Sequence, residues 1–215
     1  MTGPLLGTGV LAIWNGIANG QDDAFLRWHV EEHIPERVAV PGFLRARRYV
    51  ALHGQPRYFN FYEVVEPEVL VAPAYLARLD DPTPRTRAIL PHFTDMIRTP
   101  CRVVASRGQG VAGTVATLRL DGPVAPLRNV AAALAGEPGV SAVHLLEQAE
   151  LAMPGTAEAA IRGGPDRAAK IVLLAEGPDA DTLDAAVSRH APKGERGLYR
   201  LDFLLCADPA APSRT

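Results

Sequence analysis

The chain has 215 residues, 47% of them hydrophobic and 21% charged, with a formal net charge of -2. That length admits one large domain or two small ones, each with its own core. A charge so near neutral gives no electrostatic reason to bind nucleic acid or an anionic membrane, and no apolar run approaches the ~20 residues that span a bilayer.

The first residues, M-T-G-P-L-L-G-T-G, lack the basic and apolar regions of a secretory leader, so a soluble, cytoplasmic protein is expected. Cys101 and Cys206 each adjoin an apolar run without C-x-x-C spacing. They are expected as free, buried thiols.

In chain order, residues 9–15 (G-V-L-A-I-W-N) are a short apolar run opened by glycine, which reads as a strand. G-Q-D-D at 20–23 supplies capping residues and early acids for a helix that should end or kink by Pro35. Plotted at ~100° per residue, residues 22–37 set Phe25 and Trp28 at one side of an apolar arc and Leu26 and Val30 at the other. His29 falls near the middle of that arc, with His33 and Glu32 close by, while Arg27 and Glu31 point the opposite way. Inward polar groups without partners cost about 1–3 kcal/mol each. The trio should therefore bond internally or line a cavity.

After Pro41-Gly42, residues 43–52 and 57–65 read as two further strands, residues 68–98 as helical but broken by Pro73, Pro82, Pro84 and Pro91, and residues 102–105 as a fourth strand. The order is β-α-β-β-α-β. It begins again with a strand at 114–120, a helix at 126–135, a strand after Pro138-Gly139, a strand at 170–175, a helix at 181–190 and a strand at 198–206. The second Pro-Gly lies 97 positions after the first, 138 against 41. We read an α+β fold of two tandem ferredoxin-like βαββαβ units. Residues 1–107 form one domain and residues 108–215 the other, joined at Gly108-Gln109-Gly110, with residues 207–215 as a frayed tail. Each unit leaves one sheet face bare, to be covered by the other half or across a homodimer interface.

Three local patterns bear on chemistry. Residues 108–113, G-Q-G-V-A-G, match a dinucleotide fingerprint as a string but lead into a strand, whereas that fingerprint needs a helix N-terminus for the pyrophosphate. Residues 29–33, H-V-E-E-H, match the inverted zinc-peptidase string; histidines at i and i+4 share a helix face, and a metal site would need a third ligand from His53, Glu63 or His92. In the third strand, alternation puts Tyr58, Asn60 and Tyr62 on one face, and Arg47 of the second strand is a candidate to join them. Such a face suits an oxygen-rich aromatic ligand.

The stretch from 28 to 49, W-H-V-E-E-H-I-P-E-R-V-A-V-P-G-F-L-R-A-R-R-Y, followed by the aromatic third strand, resembles the EthD-like members of the dimeric α/β-barrel superfamily. The likeness runs through about Arg107; beyond it only the element order and Pro138-Gly139 persist. The resemblance implies a dimeric α/β-barrel arrangement with a pocket between sheet and helices and His29 and His33 on its wall. It also implies activities ranging over small monooxygenases, polyketide cyclases and dehydratases, lactone isomerases and haem enzymes. The second half has no inward histidine or acid on its first helix, and His144 and His190 are isolated, so that half reads as scaffold.

The expected function is a cofactor-independent lyase or isomerase acting on a small aromatic or carbonyl compound, with no nucleic-acid or membrane partner. Histidine titrates near ~6.5 and exchanges protons at neutral pH. His29 and His33 are the candidate acid and base, with Glu32 fixing a tautomer. Tyr58, Asn60, Tyr62, Arg47 and His92 are candidates for holding substrate oxygens, and Trp14, Phe25 and Trp28 for packing its ring. The alternatives are haem held by one histidine, a metal-dependent enzyme, and a non-enzymatic protein whose histidines satisfy each other.

Overall fold

A computed structural model describes residues 4–163 and 166–208 of the chain. Eight strands, β1 (Gly9–Ile17), β2 (Phe43–His53), β3 (Tyr58–Val64), β4 (Phe93–Gly108), β5 (Thr114–Leu120), β6 (Ala142–Gln148), β7 (Ile171–Gly177) and β8 (Glu195–Cys206), close one antiparallel barrel in the order β1-β3-β2-β8-β5-β7-β6-β4. Each half contributes four neighbouring strands, and the halves meet at two seams, β2 with β8 and β4 with β6. The bare sheet faces are thus covered within a single chain.

Helices pack on the outside. The first half carries α1 (Asp22–Trp28) and α2 (Ile34–Val38), joined by a π-helical turn at His29–His33, then α3 (Pro73–Asp80) and α4 (Pro84–Ile89). The second half carries α5 (Leu127–Leu134), a short α6 (Ala157–Ile161) and α7 (Ala180–His190). The first helix does not stop at Pro35. Ile34 N–H bonds the His29 carbonyl five residues back, so the ladder has slipped by one where the proline lacks a donor. Strand β4 begins at Phe93, so residues 93–98, expected to be helical, belong to the sheet: Phe93, Thr94, Ile97 and Arg98 pair with β1 on either side of a bulge that holds Asp95 at a φ of 53°. The 207–215 tail begins in order, with Ala207 N–H donating to the Leu44 carbonyl; residues 209–215 lie outside the described residues. Both thiols are free, but Cys206 is exposed rather than buried.

The repeat has a concrete marker. Gly42 and Gly139 both adopt positive φ (+92° and +81°), and a Cβ on either would stand 2.7 Å from Val69 Cγ2 or 2.5 Å from Thr182 Cγ2. Each glycine lets the chain turn tightly against the element that follows the unit's third strand.

Period-2 alternation splits the sheet into two environments. Inside the barrel, Val10, Ala12 and Trp14 meet Phe59, Phe61, Tyr49, Leu146, Val172, Leu174 and Tyr199. At one end of that interior, Arg47 bonds Glu63 (2.9 Å), Glu176 (2.8 Å) and Tyr49 (3.0 Å), and Glu176 accepts from Ala112 N–H and lies 3.1 Å from His144. Outside, α5 and α7 of the second half sit on a wholly aliphatic layer that includes Leu118, Leu120, Val143, Leu145 and Leu173. The corresponding layer under the first helix is not filled. Among the described residues no helix is long and apolar enough to cross a membrane.

Candidate functional site

A cavity of about 770 Å³ lies between the outer face of β1 and β3 and the helices over it. Its floor is Ile13, Asn15, Asn60 and Tyr62, cross-strand neighbours on the side-chain face turned away from the barrel interior. One wall is the first helix, which presents Trp28, His29, His33 and Arg37. The facing wall comes from the second half: residues 153–160, with Glu158 and Arg162 of the α6 segment. The sequence assigned the pocket to the first half alone, and the structure corrects that. The loop between β6 and β7 crosses the boundary because Arg37 pairs with Glu158, both nearly inaccessible to solvent.

His29 and His33 stack on each other, with ring centroids 5.2 Å apart and planes 20° apart. Phe25 stacks on His29 at 5.0 Å and Trp28 lies against His33 at 4.4 Å, making a continuous aromatic column. Trp28 is itself fixed by its indole N–H, which donates to Thr86 Oγ1 at 3.1 Å. The Nδ1 atoms of both imidazoles, Arg37 Nη1 and Asn60 Oδ1 are buried without a partner among the described residues. These four atoms belong to residues that line one hollow, where buried polar groups ordinarily find a protein or water partner.

The electrostatics favour neutral rings. Burial, reinforced by the guanidinium groups of Arg48 and Arg37, holds His29 well below the usual histidine range. Burial, then Arg37, His29 and Arg162, does the same for His33. A stacked pair of imidazolium ions would repel in a low-dielectric hollow, so both rings are neutral at neutral pH. The Tyr62 hydroxyl lies 3.4 Å from His29 Nε2 and is pushed up by burial, so it remains a protonated donor.

Several expected members stand elsewhere. Glu32 touches neither imidazole; it accepts from the hydroxyls of Thr83 and Thr86 at the start of α4. Arg47 and Trp14 face the barrel interior, because register sets Arg47 opposite Phe61 and leaves Arg48 opposite Asn60. Trp14 stacks on Phe59 at 4.8 Å and donates to Thr117. Tyr58 shares the outer face but is capped by Phe25 and donates to Asp22 at 2.7 Å. Phe25 supports the column from behind the cavity lining. His92 is not among the lining residues; its carbonyl accepts from Ala18 N–H. The third metal ligands do not converge either: Glu63 is held by Arg45 and Arg47 inside the barrel and His53 is exposed at the end of β2. Among the described residues no group of three His, Cys, Asp or Glu side chains could hold a metal ion.

Residues that sequence reasoning passed over include Arg37, Tyr75, Arg98 and Asn15. For Arg37 a signal existed: His29, His33 and Arg37 stand at i, i+4 and i+8, one stripe of a helix.

No family model matches the chain, and no curated protein does. Solved structures do resemble it. An anthrone oxidase-like protein superposes with a TM-score of 0.58 at 12% identity, over 96% of each chain. A putative monooxygenase from Fusobacterium nucleatum gives 0.56 at 9% identity, over 94% of this chain and 96% of its own. A putative chlorite dismutase gives 0.56 at 12% identity, over 91% and 94%. At such identities the likeness is one of fold, an α+β fold in which the two ferredoxin-like halves of this chain close one barrel.

Proposed function

We propose that the cavity is an active site in which His29 and His33 take a proton from an enolisable or phenolic small molecule. The observation that carries this reading is the stacked pair of neutral imidazoles, His29 buried and His33 half-buried, on the wall of the cavity, whose Nδ1 atoms have no hydrogen-bond partner among the described residues. A neutral imidazole beside a substrate C–H or O–H accepts the proton, and its partner ring and the aromatic column hold it in one orientation. Tyr62 donates toward the oxygen on which charge develops, and Asn60 Oδ1 accepts from a substrate hydroxyl. Trp28 and Ile13 pack the substrate ring. Returning the proton at another atom gives isomerisation or elimination, the lyase-type outcome expected from the sequence.

A second outcome starts from the same proton transfer. The fold neighbours described as anthrone oxidase-like and putative monooxygenase favour joining the deprotonated carbon to dioxygen as a hydroperoxide, which loses water to leave a carbonyl, so that the carbon gives up four electrons and dioxygen ends as the carbonyl oxygen and water. An oxygen electrode separates the two outcomes.

The test uses anthrone and 2-tetralone as probes, with NMR in deuterated buffer reading exchange at the acidic C–H. Wild-type protein should accelerate exchange, and His29→Ala and His33→Ala should lower the rate by about 10²-fold, the scale of general acid-base catalysis, while circular dichroism stays native. Unchanged exchange in both variants overturns the reading. So does a Soret band on mixing with hemin that His33→Ala abolishes, which would assign the imidazole to haem.

A further inference from the structure

The charges around the cavity do not balance. Three guanidinium groups line it, those of Arg37, Arg98 and Arg162, against two carboxylates, Glu158 and Asp166. Both carboxylates are committed: Glu158 to Arg37 and Arg162, and Asp166 to Arg162 at 2.8 Å. Among the described residues no carboxylate lies within ion-pair distance of Arg98, whose Nη2 donates only to the Tyr75 hydroxyl, at 2.9 Å. Arg37 keeps its Nη1 buried and unpartnered although the residue is only 3% exposed. The two cations share one support, since their guanidinium carbons stand 5.8 and 5.9 Å from the centroid of the buried Tyr75 ring. Glu158 meets the charge of Arg37, so the uncompensated cation is the half-buried Arg98, and a planar fork of N–H donors matches a carboxylate.

We propose that the ligand of this cavity is an organic monoanion, a small ring compound whose carboxylate is held by Arg37 and Arg98 beside Tyr75. One uncompensated positive charge calls for one negative charge, which disfavours a phosphate dianion. The helix then sets the shape of the molecule. Arg37 follows His33 by one turn, about 6 Å along the axis at ~1.5 Å per residue, so the carboxylate and the reacting C–H or O–H are held at separate points along the same helix stripe. The placement of the reacting atom rests on the acid-base reading above; the carboxylate grip does not.

Titration calorimetry on the full chain with three matched pairs tests it: salicylate, 3-hydroxybenzoate and 4-hydroxyphenylacetate, each against its methyl ester. At least one acid should bind ~10- to 100-fold more tightly than its ester, the worth of a hydrogen bond to a charged group. Arg98→Gln should erase that preference and Arg98→Lys should restore part of it, with native circular dichroism in both. Equal affinity of every acid and ester, failure of all three acids to bind at millimolar concentration, or a preference that survives Arg98→Gln overturns the proposal. Binding is read without turnover. A carboxylate preference without proton exchange therefore sinks the acid-base reading alone, and exchange without the preference sinks this one alone.

Discussion

His29 and His33 owe their depressed affinity for protons first to burial and then to neighbouring cations, and this fixes the sign of two pH dependences. As bases they need to be neutral, so exchange should be flat through neutral pH and fall only on acidification below the ordinary histidine pKa of ~6.5. Stability should move the same way, because below ~6.5 the unfolded chain takes up protons that the folded rings refuse. Melting temperature should drop between pH 7 and pH 5, and by less in the His29→Gln, His33→Gln double variant. Glu32 belongs to another account. Its loss in Glu32→Ala strips the acceptor from Thr83 and Thr86 and should cost about 1 kcal/mol in urea denaturation, with proton exchange unchanged. The inward histidines were legible because a helical stripe is visible in any sequence. Arg47 was misplaced because R-A-R-R at 45–48 offers an arginine to either face, and the choice rests on a register shift between Phe43 and Arg45 that flips every later side chain.

At the scale of elements, the two Pro-Gly turns are the clearest case of local sequence dictating structure. A side chain at Gly42 would meet both a left-handed backbone and Val69. Gly42→Ala should therefore destabilise by about 1–2 kcal/mol, and Val69→Ala in the same chain should recover only the steric part, measurable as a non-additive double-mutant cycle. The element order of both units was readable from turn residues and periodicity. What could not be read depended on partners distant in sequence. Residues 93–98 sit between Pro91 and Pro100 and look like the end of a broken helix, yet they are held in the sheet by β1. Helix α6 falls in a segment without strong periodicity and is ordered by the reach of Arg37 to Glu158. Pro35 announces a helix stop, and the π-helical turn ahead of it absorbs the missing donor.

For the whole molecule, the buried network at the barrel's end is the most exposed to failure. Removing its central cation with Arg47→Met would leave Glu63 and Glu176, both nearly inaccessible to solvent, short of counter-charge, at a cost of about 3–5 kcal/mol. Burial alone would push the Glu176 carboxyl up, but His144 and Arg47 hold it down at about 2. Its share of stability is therefore complete above the ordinary carboxyl pKa near 4.5 and fades as pH falls toward 2. Circular dichroism of acid unfolding should show Arg47→Met unfolding at higher pH than wild type. Closure of the barrel within one chain also meets the need for which a homodimer was expected, so sedimentation equilibrium should return the mass of a single chain. Two identical subunits joined edge to edge are bound by their symmetry to hold every hollow twice. Here the first helix roofs an open chamber while α5 and α7 rest on solid aliphatic packing, so saturation should come at one ligand per polypeptide. The half without a chamber is free to lend its loop as a wall to the other.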